Sequence, residues 1–310
     1  MKTGVIYCPK HVGLKSVAKR WQKIAEALQR HGVEYDLVQS ENAGSVERIV
    51  RMMIHNGYDT IIIAGGDSAL NDTVNCLMRE ERSVRERITV GVIPNGMMND
   101  FAKFWGFTEK DIDAAVESIK VRRTRRVDVG CLQYTDKDGE HLTRYFLNCV
   151  NIGLIATIQK LRRQTRRIVW SRKISFVVSF LLLLFQRMSY KMRYTINYET
   201  EQHNITTVCI GNALGYGQTP NAVPYNGMLD VSALRTFAFT QAFTAIALFL
   251  SGRFLNHKDL MPYRCHEAMF ILQKGTPVSV DNCLLSMSSR STELQFSVAE
   301  EAVNFIIEAP

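Results

Sequence analysis

The first 125 residues alternate short apolar runs with longer amphipathic stretches, and this alternation limits the possible folds more than any other feature of the chain. The runs "GVIYC" (Gly4–Cys8), "VEYDLV", "DTIIIAG" and "ITVGVIP" have the length of strands. Between and after them, Lys15–Arg30, Gly44–His55, Leu70–Arg79, "MMNDFAKFWGF" and "EKDIDAAVESI" have helical spacing. Near-continuous apolar strands that alternate with helices predict an open parallel sheet covered on both faces. From about Arg125 the pattern changes. "RRVDVGCLQY", the turn "DKDG" and "HLTRYFLNCVNIG" read as two strands around a tight turn. "SYKMRYTINYE", "HNITTVCIGNA", "MLDVSAL", "AMFILQ", "PVSVDN" and "TELQFSV" follow as further strands, interrupted by helical stretches around Ile158–Arg187 and Phe239–Gly252. The expected fold class is α/β + β. Residues 1–125 form an open parallel α/β domain, residues 126–298 a β-rich domain, and residues 299–310 a C-terminal segment that returns to the first.

Three stretches carry chemistry. In "IIIAGGDSALND", an apolar strand ends in Gly65, Gly66 and Asp67, and a helix follows. Glycines let a backbone approach phosphate closely, and a helix N-terminus adds oriented N–H groups. An aspartate there can hold Mg²⁺, help deprotonate an attacking hydroxyl, or simply cap the helix. The next strand ends in a similar turn, "VIPNGMMNDFAKFWGF", with Pro94, Gly96, Asn99 and Asp100. Ligands of open α/β sheets bind beyond the carboxyl ends of strands, so two such turns on successive strands can share one crevice. The third stretch is the long loop "GNALGYGQTPNAVPYNGMLDVSAL" (Gly211–Leu234), which has the length of a working loop.

The order of these motifs resembles the diacylglycerol kinase catalytic-domain family, which includes bacterial lipid kinases and the sphingosine and ceramide kinases. Gly65, Gly66, Asp67 and Asn71 match the family's G-G-D-G-T-x-N-E element. Pro94, Gly96, Asn99, Asp100 and Phe101 match P-x-G-T-x-N-D-F. "RYFLNCVNIGL" matches a third element, and Asn212, Gly215, Gly217, Pro220, Ala222, Gly227, Leu229 and Asp230 match the long loop. The resemblance implies an α/β nucleotide domain followed by a β-sandwich, with the active site between them. It also implies ATP- and Mg²⁺-dependent phosphorylation of a lipid hydroxyl on diacylglycerol, ceramide or a sphingoid base. Gly65, Gly66, Asp67, Ser68, Asn71, Pro94, Gly96, Asn99 and Asp100 would bind nucleotide, Asp67 and Asp281 would act in catalysis, and Asp230 and Asn226 would hold metal.

The departures from the family pattern fall on the same places. Cys8-Pro9 stands for Asn-Pro, Ser68 for glycine, and Ala69 and Met97 for threonines. Asn226 replaces an aspartate, and Asp281-Asn282-Cys283 stands for D-G-E, without the glutamate assigned as base. If the backbone at Ser68 needs a positive φ, serine costs on the order of 1 kcal/mol. Two readings follow. One is a divergent active kinase, and the other is a catalytically silent lipid- or nucleotide-binding regulator. NAD kinases share the G-G-D turn and form a third reading, which the P-x-G-T-x-N-D-F element disfavours.

Charge suggests the setting. The formal net charge is +8. Lys160, Arg162, Arg163, Arg166, Arg167, Arg172 and Lys173 have no acid among them. On a helix, Ile158, Leu161, Ile168 and Val169 fall within an arc of about 100°, and Arg162, Arg163, Arg166 and Arg167 lie mostly outside it. Such a face can rest on an anionic membrane. The apolar run Phe176–Phe185 is too short to span one, since a span takes about 20 residues. No DNA-recognition motif accompanies the charge, so nucleic acid is not an expected partner. A lipid substrate, an anionic membrane surface and a second copy in a homodimer are the partners that remain. The N-terminus lacks an apolar signal segment, and seven dispersed cysteines without a C-x-x-C pair suit reduced thiols. The expected location is cytoplasmic and peripheral to the membrane.

Overall fold

The computed structural model describes residues 2–9, 14–42, 44–96, 98–168, 189–237, 241, 244, 245, 248, 251–288 and 292–309. The chain divides into two compact units, residues 1–129 with 299–310, and residues 130–298.

The first unit is built on strands β1 (Thr3–Tyr7), β2 (Asp36–Gln39), β3 (Thr60–Gly65) and β4 (Thr89–Pro94). Its helices are α1 (Leu14–Arg30), α2 (Ser45–His55), α3 (Asp67–Leu77), α4 (Arg82–Arg85), α5 (Asp100–Phe104) and α6 (Ile112–Val121). The strands run parallel in the order β2-β1-β3-β4. The end of the last strand of the chain adds in parallel beside β4, pairing Asn304 with Thr89 and Phe305 with Val90. β3 is buried at every position, as expected of a strand covered on both faces. Ile24, Ala27 and Leu28 of α1 recur at helical spacing and pack with Val5, Tyr7, Ile62, Ala64, Ile93, Val116 and Ile119. Each fully buried isoleucine of this core contributes about 1.5–3 kcal/mol. The chain leaves β1 for β2 on one side and then crosses to β3 on the other. The carboxyl ends of β1 and β3 therefore form a topological switch point, where doubly wound sheets bind their ligands. Cys8 and Gly65 stand there.

The second unit is an antiparallel assembly joined by one described helix. Its elements are the end of β5 (Thr124–Thr135), β6 (His141–Phe146), β7 (Cys149–Gly153), α7 (Leu154–Ile168), β8 (Tyr190–Ile196) and β9 (Glu199–Gly211). They continue with β10 (Leu229–Arg235), β11 (Leu260–Cys265), β12 (Ala268–Leu272), β13 (Val278–Val280), β14 (Cys283–Leu284) and the start of β15 (Glu293–Ile306). β9 pairs with β8 through its first half, and with β7 and β10 through its second. Phe146, Val150, Ile152, Tyr194, Ile210, Phe270 and Phe296 are among the side chains of its core.

The stretch "HLTRYFLNCVNIG" reads as one strand from its apolar content but folds as two, β6 and β7. The break has a tertiary cause. The N–H groups of Leu147, Asn148 and Cys149 all donate to the carboxylate of Asp281, over 130 residues away. The apolar run Phe176–Phe185 and the basic residues Arg172 and Lys173 lie outside the described residues, as does most of Phe239–Gly252. Among the described residues, no helix is long and apolar enough to cross a membrane.

Candidate functional site

The two glycine turns of the first unit meet backbone to backbone. A Cβ placed on Gly66 would stand 2.7 Å from the Cα of Gly96, and one on Gly96 would stand 2.4 Å from the Cα of Gly66. Neither glycine has a positive φ, so the demand for glycine comes from close approach. The amide of Asn95 donates to the carbonyl of Gly65 at 2.7 Å, and its side-chain Nδ2 to the carbonyl of Cys8 at 3.2 Å. The carboxyl ends of β1, β3 and β4 are thereby tied together.

Asn99 shapes the second turn. It adopts the left-handed conformation with φ 54°, which asparagine tolerates better than most residues. Its Oδ1 accepts from the Gly96 amide at 2.8 Å, and its Nδ2 donates to the Gly96 carbonyl at 3.0 Å and to Glu109 Oε1 at 2.9 Å. Asp67 is buried and reaches across. Its two carboxylate oxygens accept the amides of Asp100 at 3.1 Å and Phe101 at 3.2 Å. It caps a helix 33 residues downstream, where its charge complements the exposed N–H ends. Asp100 places Oδ1 3.4 Å from Lys103 Nζ.

Other predicted residues find different posts. α3 begins at Asp67 rather than near Leu70, so Ser68 lies in its first turn with an ordinary negative φ, and the left-handed penalty does not arise. Ser68 is exposed there. Asn71 is buried, and its Oδ1 accepts from Asn75 Nδ2 at 3.1 Å. Pro94 closes β4. Met97 lies outside the described residues. Burial pushes the Cys8 thiol up to about 11, so it stays neutral where the family pattern has an amide.

In the second unit, the residues expected in catalysis and metal binding already have hydrogen-bond partners. Asp281 is 1% exposed, and its carboxylate accepts the three amides of Leu147, Asn148 and Cys149 at 2.8–3.0 Å. With Asn282 it forms the two-residue turn of the β13–β14 hairpin, both residues at positive φ. In this position the carboxylate caps the backbone between β6 and β7. Asp230 is held by Arg264 through two bonds, Nε to Oδ1 at 2.7 Å and Nη2 to Oδ2 at 3.2 Å. Asn226 Oδ1 accepts the Met228 amide at 3.0 Å in a local turn. Among the described residues, no group of three or more His, Cys, Asp or Glu side chains could hold a metal. Part of the long loop packs inward: Gln218 Nε2 donates to Asn151 Oδ1, and Thr219 Oγ1 to the carbonyl of Ala213. Arg162, Arg163, Arg166 and Arg167 fall on the backbone of α7, and their side chains lie outside what is described.

Residues 3–132 match the family model described as the diacylglycerol kinase catalytic domain. A Staphylococcus epidermidis protein named "putative lipid kinase" is 26% identical over 264 residues, covering 83% of this chain and 79% of that protein. A protein of Bacillus subtilis named diacylglycerol kinase is 27% identical over 154 residues, covering 50% of this chain and 46% of its own. A solved structure from Bacillus anthracis, titled a putative diacylglycerol kinase, aligns with a TM-score of 0.73 at 19% identity, covering 99% of this chain and 97% of that one. At that identity the likeness shows the fold.

Within the matched residues, Asn95, Glu109 and Arg20 belong to no motif and enter the site only through the fold. Arg20 Nε donates to Asn95 Oδ1 at 3.3 Å, and its Nη2 to the carbonyls of Pro94 at 3.0 Å and Glu109 at 3.1 Å. A signal for it existed. Arg20 follows Val17 by three residues and precedes Ile24 by four, so a cation sits on the apolar stripe of α1.

Proposed function

We propose that the protein is an ATP-dependent lipid kinase that phosphorylates a hydroxyl of diacylglycerol, ceramide or a sphingoid base. The observation that carries this reading is the backbone contact of Gly66 with Gly96 at the carboxyl ends of β3 and β4. It brings together two turns that lead into helices, and the match of residues 3–132 to the diacylglycerol kinase catalytic-domain model supports a kinase. ATP phosphates would lie along Gly65, Gly66 and Gly96 and meet the first amides of α3. The Ser68 hydroxyl, exposed in that turn, would supply the donor that Ala69 lacks. Asn71, Pro94, Asn99 and Asp100 would shape the pocket rather than react. Asp67 would hold α5 against α3 and so keep the two turns at a fixed separation.

Phosphoryl transfer asks mainly for positioning and neutralisation of charge. Magnesium, which the family implies, would supply charge neutralisation on the nucleotide. The oxygens of Asp230, Asn226 and Asp281 already accept from Arg264 and backbone amides, so magnesium held there would have to share them. The same observation favours a second reading, a catalytically silent lipid- or nucleotide-binding regulator.

One assay separates them: labelled ATP and Mg²⁺ with a panel of diacylglycerol, ceramide, sphingoid bases and NAD. Product from any lipid eliminates the silent reading, product from NAD alone supports an NAD kinase, and no product eliminates the kinase. Asp67→Asn is expected to abolish lipid phosphorylation, and unchanged turnover removes Asp67 from the mechanism. The basic stretch of α7 would bring the protein to anionic lipid, with each basic residue contributing about 1 kcal/mol. Vesicle binding indifferent to anionic lipid, and to charge reversal at Arg162, Arg163, Arg166 and Arg167, would remove that part of the proposal.

A further inference from the structure

We propose that Arg20 is a positioning residue for the nucleotide phosphates, acting through Asn95 and the Pro94 carbonyl; this rests on the nucleotide-site reading above. The guanidinium is half-buried and uses its fork on three acceptors: Asn95 Oδ1, the Pro94 carbonyl and the Glu109 carbonyl. Asn95 is itself the residue that ties β1, β3 and β4 at their carboxyl ends, through the carbonyls of Gly65 and Cys8. Glu109 in turn receives Asn99 Nδ2, which fixes the left-handed residue of the second turn. A single side chain on α1 therefore sets both ends of the Pro94–Asn99 turn, and through it the Gly66–Gly96 contact.

The chemistry of the clamp points to an anionic ligand. All three acceptors are neutral, and among the described residues Arg20 forms no ion pair. A half-buried cation bears a desolvation cost that neutral acceptors only partly offset. Phosphates at the carboxyl ends of β1, β3 and β4 would provide the missing counter-charge. A glutamine could fasten one of these acceptors without charge. A lysine could bring charge, but its single ammonium cannot reproduce the planar fork.

The test uses the full chain and MgATP, with binding followed by calorimetry and kinetics followed separately in MgATP and lipid. Arg20→Gln is expected to weaken MgATP binding and raise its KM roughly tenfold or more, the scale of lost charge-assisted bonds. The KM for lipid should stay unchanged. Arg20→Lys is expected to recover only part of the loss. Unchanged MgATP affinity in Arg20→Gln, or full recovery in Arg20→Lys, overturns the positioning role. If Arg20→Gln fails to fold, Arg20→Lys alone carries the test, and wild-type MgATP affinity in that variant overturns the role. A wild-type protein that binds no MgATP overturns the reading of the site and the role of Arg20 together. A wild type that binds it, with both variants indistinguishable from it, overturns the role alone.

Discussion

Replacing Gly66 with alanine tests the contact on which the functional reading stands. The backbone at Gly66 has φ −110° and ψ −178°, which alanine adopts without strain. The new methyl would nevertheless lie 2.7 Å from Gly96 Cα and 3.6 Å from Asn99 Oδ1. Carbon atoms rest about 3.5–4.0 Å apart, so the two turns must separate by roughly 1 Å. Overpacking of this kind costs about 1–3 kcal/mol, partly offset by about 0.4–1 kcal/mol from the stiffer unfolded chain. The net loss should lower Tm by only a few degrees. Activity should suffer more, because a displacement of about 1 Å at a reacting centre can cost about 10²-fold. Thermal unfolding and lipid-dependent ADP formation would be measured on the same preparation. Gly44→Ala is the control, since its methyl would meet only Asn42 Oδ1 at 3.5 Å, and it should match wild type in both. Wild-type ATP affinity and turnover in Gly66→Ala would refute the argument that this contact forms the phosphate site.

Asp281→Asn should destabilise the protein rather than silence it, because an amide leaves at least one of three buried N–H groups unpaired at about 1–3 kcal/mol. A clear loss of Tm with retained activity per folded molecule is expected, and a stable but inactive variant would restore Asp281 to catalysis. The Cys8 thiol, held up to about 11 by burial, should react with iodoacetamide at pH 8 more slowly than free cysteine. By linkage, its contribution to stability is complete below the ordinary thiol range and is lost as pH rises through about 11; a Cys8→Ser variant with the same alkaline unfolding profile would contradict this. Asp230 and Arg264 should couple by about 1 kcal/mol in a double-mutant cycle of Asp230→Asn and Arg264→Gln. No coupling, together with an Asp230-dependent rise of Tm in magnesium, would return Asp230 to a metal site.

The alternation of β3 with α3, the apolar stripe of α1 and the glycine turns at Gly65–Gly66 and Gly96 could be read from the sequence. They depend on local periodicity and on backbone permissiveness, which neighbouring residues express by themselves. The pairing of the turns was inferred from their order on successive strands. The reason each glycine is required appears only where one Cα meets the other. The same limit applies to the acids. Asp67, Asp230 and Asp281 look alike in sequence as carboxylates beside turns. In the fold one caps α5, one serves Arg264, and one gathers the amides that break β6 from β7. Local pattern carries the α/β and β-rich halves and the place of the glycine turns. The tertiary structure decides which charges meet an opposite charge and which, like that of Arg20, have only neutral partners among the described residues. Ionic and hydrogen-bond partners lie 33 to 134 residues apart along the chain, and no local pattern encodes a contact at that separation.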